Sequence, residues 1–141
     1  MDWTLEVVQV PVADVDRAKA FYAERLGFAV DLDMSPGPGM RFVQLTPPGS
    51  GCSIQLAAGM HDMAPGSLRG LLLVVPDLRA AHAELRARGV ETSDLVVFDG
   101  PGSAPRPPRE DDVLDFGMLS FSDPDGNGWA VQQISPEARR R

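Results

Sequence analysis

The residues able to do chemistry in this chain are few and scattered. It has two histidines, His61 and His82, and one cysteine, Cys52. The histidines lack the i, i+4 spacing that places two imidazoles on one helical face, and they read as unrelated surface groups. Cys52 falls in a strand pattern with no base beside it, the setting of a small packed thiol rather than a nucleophile. The acidic set Glu110, Asp111, Asp112 and Asp115 has the charge to attract a hard cation. It lacks the ligand spacing of a calcium loop, and it reads as a solvated loop. No phosphate-cradling glycine loop and no G-x-S-x-G elbow occurs. What remains is amide and apolar chemistry: Gln9, Gln55 and Gln132, with Phe42 and Met40 as candidate stacking partners. Neutral amides both donate and accept, so a few of them in an apolar setting orient a small organic molecule without attacking it. The alternative is that the amides hydrogen-bond one another or buried backbone.

Strands with period-two alternation must carry these residues. Leu5 to Val12 reads as a strand rich in β-branched residues. Asp14 caps a helix with apolar Val15, Ala18, Phe21, Tyr22 and Leu26 at helical spacing, and Gly27 stops it. Strands are predicted at Phe28–Met34, Met40–Thr46 and Cys52–Ala58, separated by the turns 35–39 and 47–51. After a connector at 59–66 the pattern returns. Leu71–Val75 is a strand, and Asp77 caps a helix ending at Gly89. Val90–Phe98 is a further strand despite the polar run Glu91–Asp94. Leu114–Ser122 and Trp129–Ile134 form a closing hairpin. The turn Asp123-Pro124-Asp125-Gly126-Asn127-Gly128 has the proline, the side-chain acceptors and the glycines that a tight closure needs. Residues 99–112 form a Pro- and Gly-rich insertion, either functional or disordered, in which Arg106 and Arg109 are candidate lid contacts. Val12-Ala13-Asp14-Val15 matches Val75-Pro76-Asp77-Leu78, so the chain holds two copies of one β-α-β-β-β unit, 4–58 and 68–134, within a single domain spanning 1–141.

The net charge of −7 argues against a nucleic-acid partner, because phosphate binding wants clustered Lys and Arg. The short basic end Arg139–Arg141 reads as a solvated tail. No apolar run approaches the ~18 residues of a membrane span, and Met1-Asp2-Trp3 does not open like a signal peptide. A single cysteine fits a reducing cytoplasm.

The DPDGN hairpin and the repeated strand–Asp-capped-helix start resemble the vicinal-oxygen-chelate superfamily of glyoxalase I, bleomycin-resistance proteins and extradiol dioxygenases. The resemblance covers roughly residues 4–134. It implies an α+β fold in which two tandem βαβββ modules form curved mixed sheets around a shared cleft, helices outside, and a homodimer. Metal-using members place ligands at positions that fall here on Val7, Gln55, Gly70 and Ala130. Three of these carry no donor and one is a neutral amide, so no metal is expected. By strand alternation Val7, Gln9, Phe42, Gln55, Leu72, Met118, Ala130 and Gln132 are the expected ligand-binding residues. The function implied is metal-independent binding of a small organic molecule, antibiotic-like or aromatic. The alternative is a lyase, isomerase or dioxygenase of the same superfamily using a divalent metal or a non-standard catalytic residue. The cleft-facing set offers no His and no carboxylate for it; a strand register shifted by one residue would make Asp31, Asp33 or Asp115 the candidate base.

Overall fold

The structure, a computed structural model, describes residues 1–140; Arg141, the last residue of the basic tail, lies outside the described residues. The chain divides into two compact units. One is Met1–Leu68 with Asp123–Asn127; the other is Arg69–Ser122 with Gly128–Arg141.

The first unit holds β1 (Val7–Pro11), α1 (Val15–Ala20), β2 (Ala29–Gly37), β3 (Met40–Thr46) and β4 (Ser53–Ala58). The Asp14 carboxylate accepts from the Arg17 N–H at 3.0 Å, which caps α1 as its residue type predicts. The helix does not run regularly to Leu26. It widens into a π-helical turn over Phe21–Arg25, where the Leu26 N–H donates to the Phe21 carbonyl at 3.1 Å. Gly27, at φ 74°, then ends it. The sheet order is β1-β4-β3-β2, with β1 and β4 parallel and the other pairs antiparallel. Val10, Val43, Leu45, Ile54 and Leu56 are buried with Val15, Ala18 and Tyr22 of the helical segment, which packs on β3 and β4. Each such aliphatic side chain contributes about 1.5–3 kcal/mol when fully buried.

The segment 123–127 completes this unit as a knot of buried polar groups. Asp123 Oδ1 accepts from the backbone N–H groups of Asp125, Gly126 and Asn127. Its Oδ2 accepts from the Tyr22 hydroxyl at 2.7 Å and from Asn127 Nδ2 at 2.8 Å. Asn127 Nδ2 also donates to the Pro11 carbonyl at 2.9 Å, and Asn127 Oδ1 accepts from the Leu68 N–H at 3.1 Å. The turn predicted as a hairpin closure is therefore a structural centre as well.

The second unit holds β5 (Leu71–Val75), α2 (Leu78–Ala87), β6 (Met118–Ser122), β7 (Gly128–Gln133) and α3 (Pro136–Arg139), a short helical turn that overlaps the expected tail only at Arg139. Asp77 caps α2 by accepting from the Ala80 N–H, and Gln133 Oε1 accepts from the Leu78 N–H at 2.9 Å. The sheet order is β5-β7-β6. Trp129 is buried and stacks on Phe121 with centroids 6.0 Å apart.

Three strand expectations differ from the structure, the first being that β2 runs on through Ser35–Gly37, where a turn was expected. Val90–Phe98 is not a continuous strand; only Thr92, Val96 and Val97 make isolated bridges. The polar run explains the break. The Ser93 hydroxyl accepts from the Ser120 N–H at 2.8 Å, so a side chain takes over a ladder bond. The closing strand also starts at Met118 rather than Leu114, because Leu114–Gly117 forms a turn in which the Gly117 N–H donates to the Leu114 carbonyl at 2.8 Å. The architecture stays α+β, with a four-stranded and a three-stranded mixed sheet consistent with two βαβββ modules.

Candidate functional site

In the first unit, register places the expected site residues on one face. Gln9 pairs with Gln55, and Gln55 with Gln44, so three amides stand side by side across β1, β4 and β3. Gln9 Nε2 donates to Gln55 Oε1 at 3.2 Å, so these two bond each other, as the alternative reading allowed. Val7 lies two residues before Gln9 and is partly exposed, and Phe42 is paired with Ala57 and half-buried. Gln44 belongs to the same row although it is not among the expected site residues; the period-two spacing from Phe42 is the signal for it.

In the second unit, Leu72 pairs with Ala130 and Ala130 with Ser120. The neighbouring row is Val74, Gln132 and Met118. Met118 and Gln132 also line an open pocket of about 610 Å³ with Phe98, Phe116, Asp115 and the 100–103 loop. Leu72 and Ala130 lie on the same sheet face but not in that pocket. The four expected residues of each unit are thus gathered within their own sheet. Phe98 and Phe116 are pocket residues that strand alternation alone does not single out. Their signal is positional: they are the aromatic residues flanking the Gly- and Pro-rich insertion.

The insertion is organised by charge. Arg106 is held between Asp99 and Asp112, each at 2.9 Å, and its backbone pairs with Val97. Arg106 therefore turns into its own loop and is not the lid contact that its sequence position allowed. The Arg109 N–H donates to Asp112, and the Arg109 carbonyl accepts from Arg79 Nη2 at 2.7 Å. The Arg106 guanidinium, then the Arg109 N–H, hold the Asp112 carboxyl down at about 2 against an ordinary 3.8. A carboxyl held low binds its proton less tightly folded than unfolded. Its contribution is full above pH 3.8 and is lost as pH falls through about 2. The melting-temperature gap between wild type and Asp112→Asn is therefore expected to be constant above pH 3.8 and to close toward pH 2, as thermal melts across that range would show. A gap that does not change with pH would contradict the pairing.

The residues present do not fit a divalent metal at the positions where metal-using relatives hold one. Val7, Gly70 and Ala130 offer no donor atom, and the Gln55 oxygen already accepts from Gln9. Among the described residues no three His, Cys, Asp or Glu side chains converge elsewhere. His61 and His82 belong to different units. Of the acidic set, Asp112 serves the Arg106 clamp, and Asp115 accepts from the Ser135 N–H and hydroxyl and from Gln133.

Residues 4–131 match the Glyoxalase/Bleomycin resistance protein/Dioxygenase superfamily, and the chain belongs to it. Among solved structures, the chain is 36% identical to TnmS3, an antibiotic binding protein from Streptomyces sp. CB03234, with 95% of this chain and 98% of that one covered and a TM-score of 0.72. It is 37% identical to a glyoxalase/bleomycin resistance protein from the same organism, covering 92% and 100% of the two chains, at a TM-score of 0.68. A superfamily member from Sphaerobacter thermophilus DSM 20745 is 26% identical, with 94% and 98% covered and a TM-score of 0.74. No curated protein matches the chain. No helix among the described residues is long and apolar enough to cross a membrane.

Proposed function

We propose that this protein binds a small, antibiotic-like organic molecule without a metal and without transforming it. The observation that carries the reading is the chemistry of the sheet faces: aliphatic groups, aromatic rings and neutral amides stand where a metal-using enzyme needs His nitrogens and carboxylates. The 36% identity over nearly the full length of a named antibiotic binding protein supports it. Val7, Gln9, Phe42 and Gln55 on one sheet and Leu72, Met118, Ala130 and Gln132 on the other are the proposed contact residues. The protein acts as a cytoplasmic homodimer in this reading. Val30, Leu32 and Met34 on the edge strand β2 are each more than two-fifths exposed, which supports a covering partner copy, and the single free Cys52 supports a reducing compartment.

The test is a ligand-induced thermal shift of chelator-treated protein against a panel of aromatic and non-aromatic natural-product antibiotics, with elemental analysis of the purified chain. At least one compound is expected to raise the melting temperature in the chelator, and no stoichiometric divalent ion is expected. A shift seen only after a metal is restored would overturn the reading, as would a panel in which nothing binds.

A further inference from the structure

The pocket of the second unit has one rigid wall and one loose wall. On the rigid side Met118 and Gln132 belong to paired strands, and the Asp115 carboxylate is taken up by Ser135 and Gln133. Phe116 stands there at a φ of 66°, the only non-glycine residue with positive φ among the described residues. Its backbone is pinned by the N–H, which donates to the Gln133 carbonyl at 2.7 Å. On the loose side stand Phe98 and the Gly100–Ser103 segment. Val97 and Leu114 are buried, but no residue of 98–105 is. Val97 and Arg106 exchange two backbone hydrogen bonds, at 2.8 and 3.0 Å, which close 98–105 into a loop. Within that loop, among the described residues, the Ser103 N–H donates to the Gly100 carbonyl at 3.0 Å and the Asp99 carboxylate accepts from Arg106. Neither bond ties the tip to the sheet. A segment with no buried side chain and no bond to the core opens at small cost.

The base of the loop is stiff by contrast. Arg106 bridges Asp99 and Asp112 and donates to the Pro107 carbonyl, yet it does not line the pocket. A loose tip on a pinned base is the mechanical form of a flap. The open pocket gives it something to do. Phe98 and Phe116, on opposite walls, are 41% and 54% exposed. A site that holds an organic molecule covers most of that molecule's surface, and an open trough does not. Movement of the tip toward the rigid wall would bury both rings and cover the occupant, so closure is favoured when the pocket is filled. Resting on the small-molecule reading above, we propose that Phe98–Pro105 is a flap that pivots on the Val97–Arg106 pair and closes over the filled pocket, with Arg106 the positioning residue that pins its base. The flap sets how long the occupant stays, because release waits for it to open.

Amide hydrogen exchange followed by NMR tests this, with N-phenyl-1-naphthylamine, a neutral dye that fluoresces out of water, as the pocket probe. In the free protein the amides of Gly100, Gly102 and Ala104 are expected to exchange at least about a hundredfold faster than those of Val97 and Arg106. Saturating dye is expected to slow the three tip amides about tenfold or more. Arg106→Gln is expected to speed exchange at Val97 and to speed dye release about fivefold, with association changed less. If Arg106→Gln does not fold, Asp99→Asn carries the test, with faster dye release at an unchanged melting temperature. The proposal is overturned if the tip amides of the free protein are as protected as Val97. It is also overturned if the dye does not bind or leaves those amides unchanged, or if its release is indifferent to the variants. Should these fail while compounds in the antibiotic panel still bind in chelator, the flap falls and the binding function stands; should no compound bind at all, both fall.

Discussion

Asn127→Ala is expected to cost about 3–4 kcal/mol of folding stability, or about 10 °C in melting temperature for a chain of this size. The side chain is fully buried. Its amide donates to the Pro11 carbonyl and the Asp123 carboxylate, and its oxygen accepts from the Leu68 N–H. Truncation removes three hydrogen bonds; the Pro11 carbonyl keeps the Gly66 N–H at 3.0 Å, so the cost falls mainly on the Asp123 carboxylate and the Leu68 N–H, each losing a bond worth about 1–3 kcal/mol that relaxation offsets in part. Asn127→Asp should fare no better. It replaces the donor to the Asp123 carboxylate with an oxygen and places like charges together, which is the repulsive arrangement. Urea denaturation followed by Trp129 fluorescence measures both. A loss under about 1 kcal/mol would mean that the 123–127 knot is not what closes the first unit.

The second large effect reaches the same knot from the other side. Gly66→Ala is expected to cost at least about 4 kcal/mol or to prevent soluble expression. A Cβ at Gly66 would lie 2.0 Å from the Asp125 carbonyl oxygen, and the residue sits at φ 77°. Both obstacles are backbone, so neither yields by rotating a side chain. The turn would have to move, and the Asp123 and Asn127 bonds would go with it. Gly102→Ala is the comparison. It shares a positive φ of 79° but meets no atom within 4 Å, so only the strain of about 1 kcal/mol is expected. Equal losses from the two substitutions would show that crowding at Gly66 is not the cause.

Much of this was legible from residue types and spacing. Asp14 and Asp77 announced both helices because a cap carries its own hydrogen-bond chemistry. Met40–Thr46 was readable to the residue, and alternation grouped Gln9 with Pro11 and Ala130 with Gln132, while the pairing of Gln9 with Gln55 came only from register. Three things were not legible. The π-helical turn at Phe21–Arg25 leaves no mark in the apolar spacing, since one extra residue in a turn barely shifts the pattern. The Val90–Phe98 segment carried strand-forming ends around a polar middle, and a long-range bond from Ser93 decided the outcome. Phe116 was hidden because its sequence neighbours look like a strand start, while its conformation is imposed by Gln133 and Leu114. Local propensity reports what a segment does alone, and these were decided by partners distant in the chain.

Whether the protein holds an organic molecule intact with uncharged groups is decided by incubating chelator-treated protein with a compound identified by thermal shift, then denaturing the complex and weighing the released compound by mass spectrometry. Recovery at unchanged mass, with binding unaltered by added nickel, zinc, manganese or iron, is the expected result. A compound of altered mass whose formation needs one of those ions would contradict it.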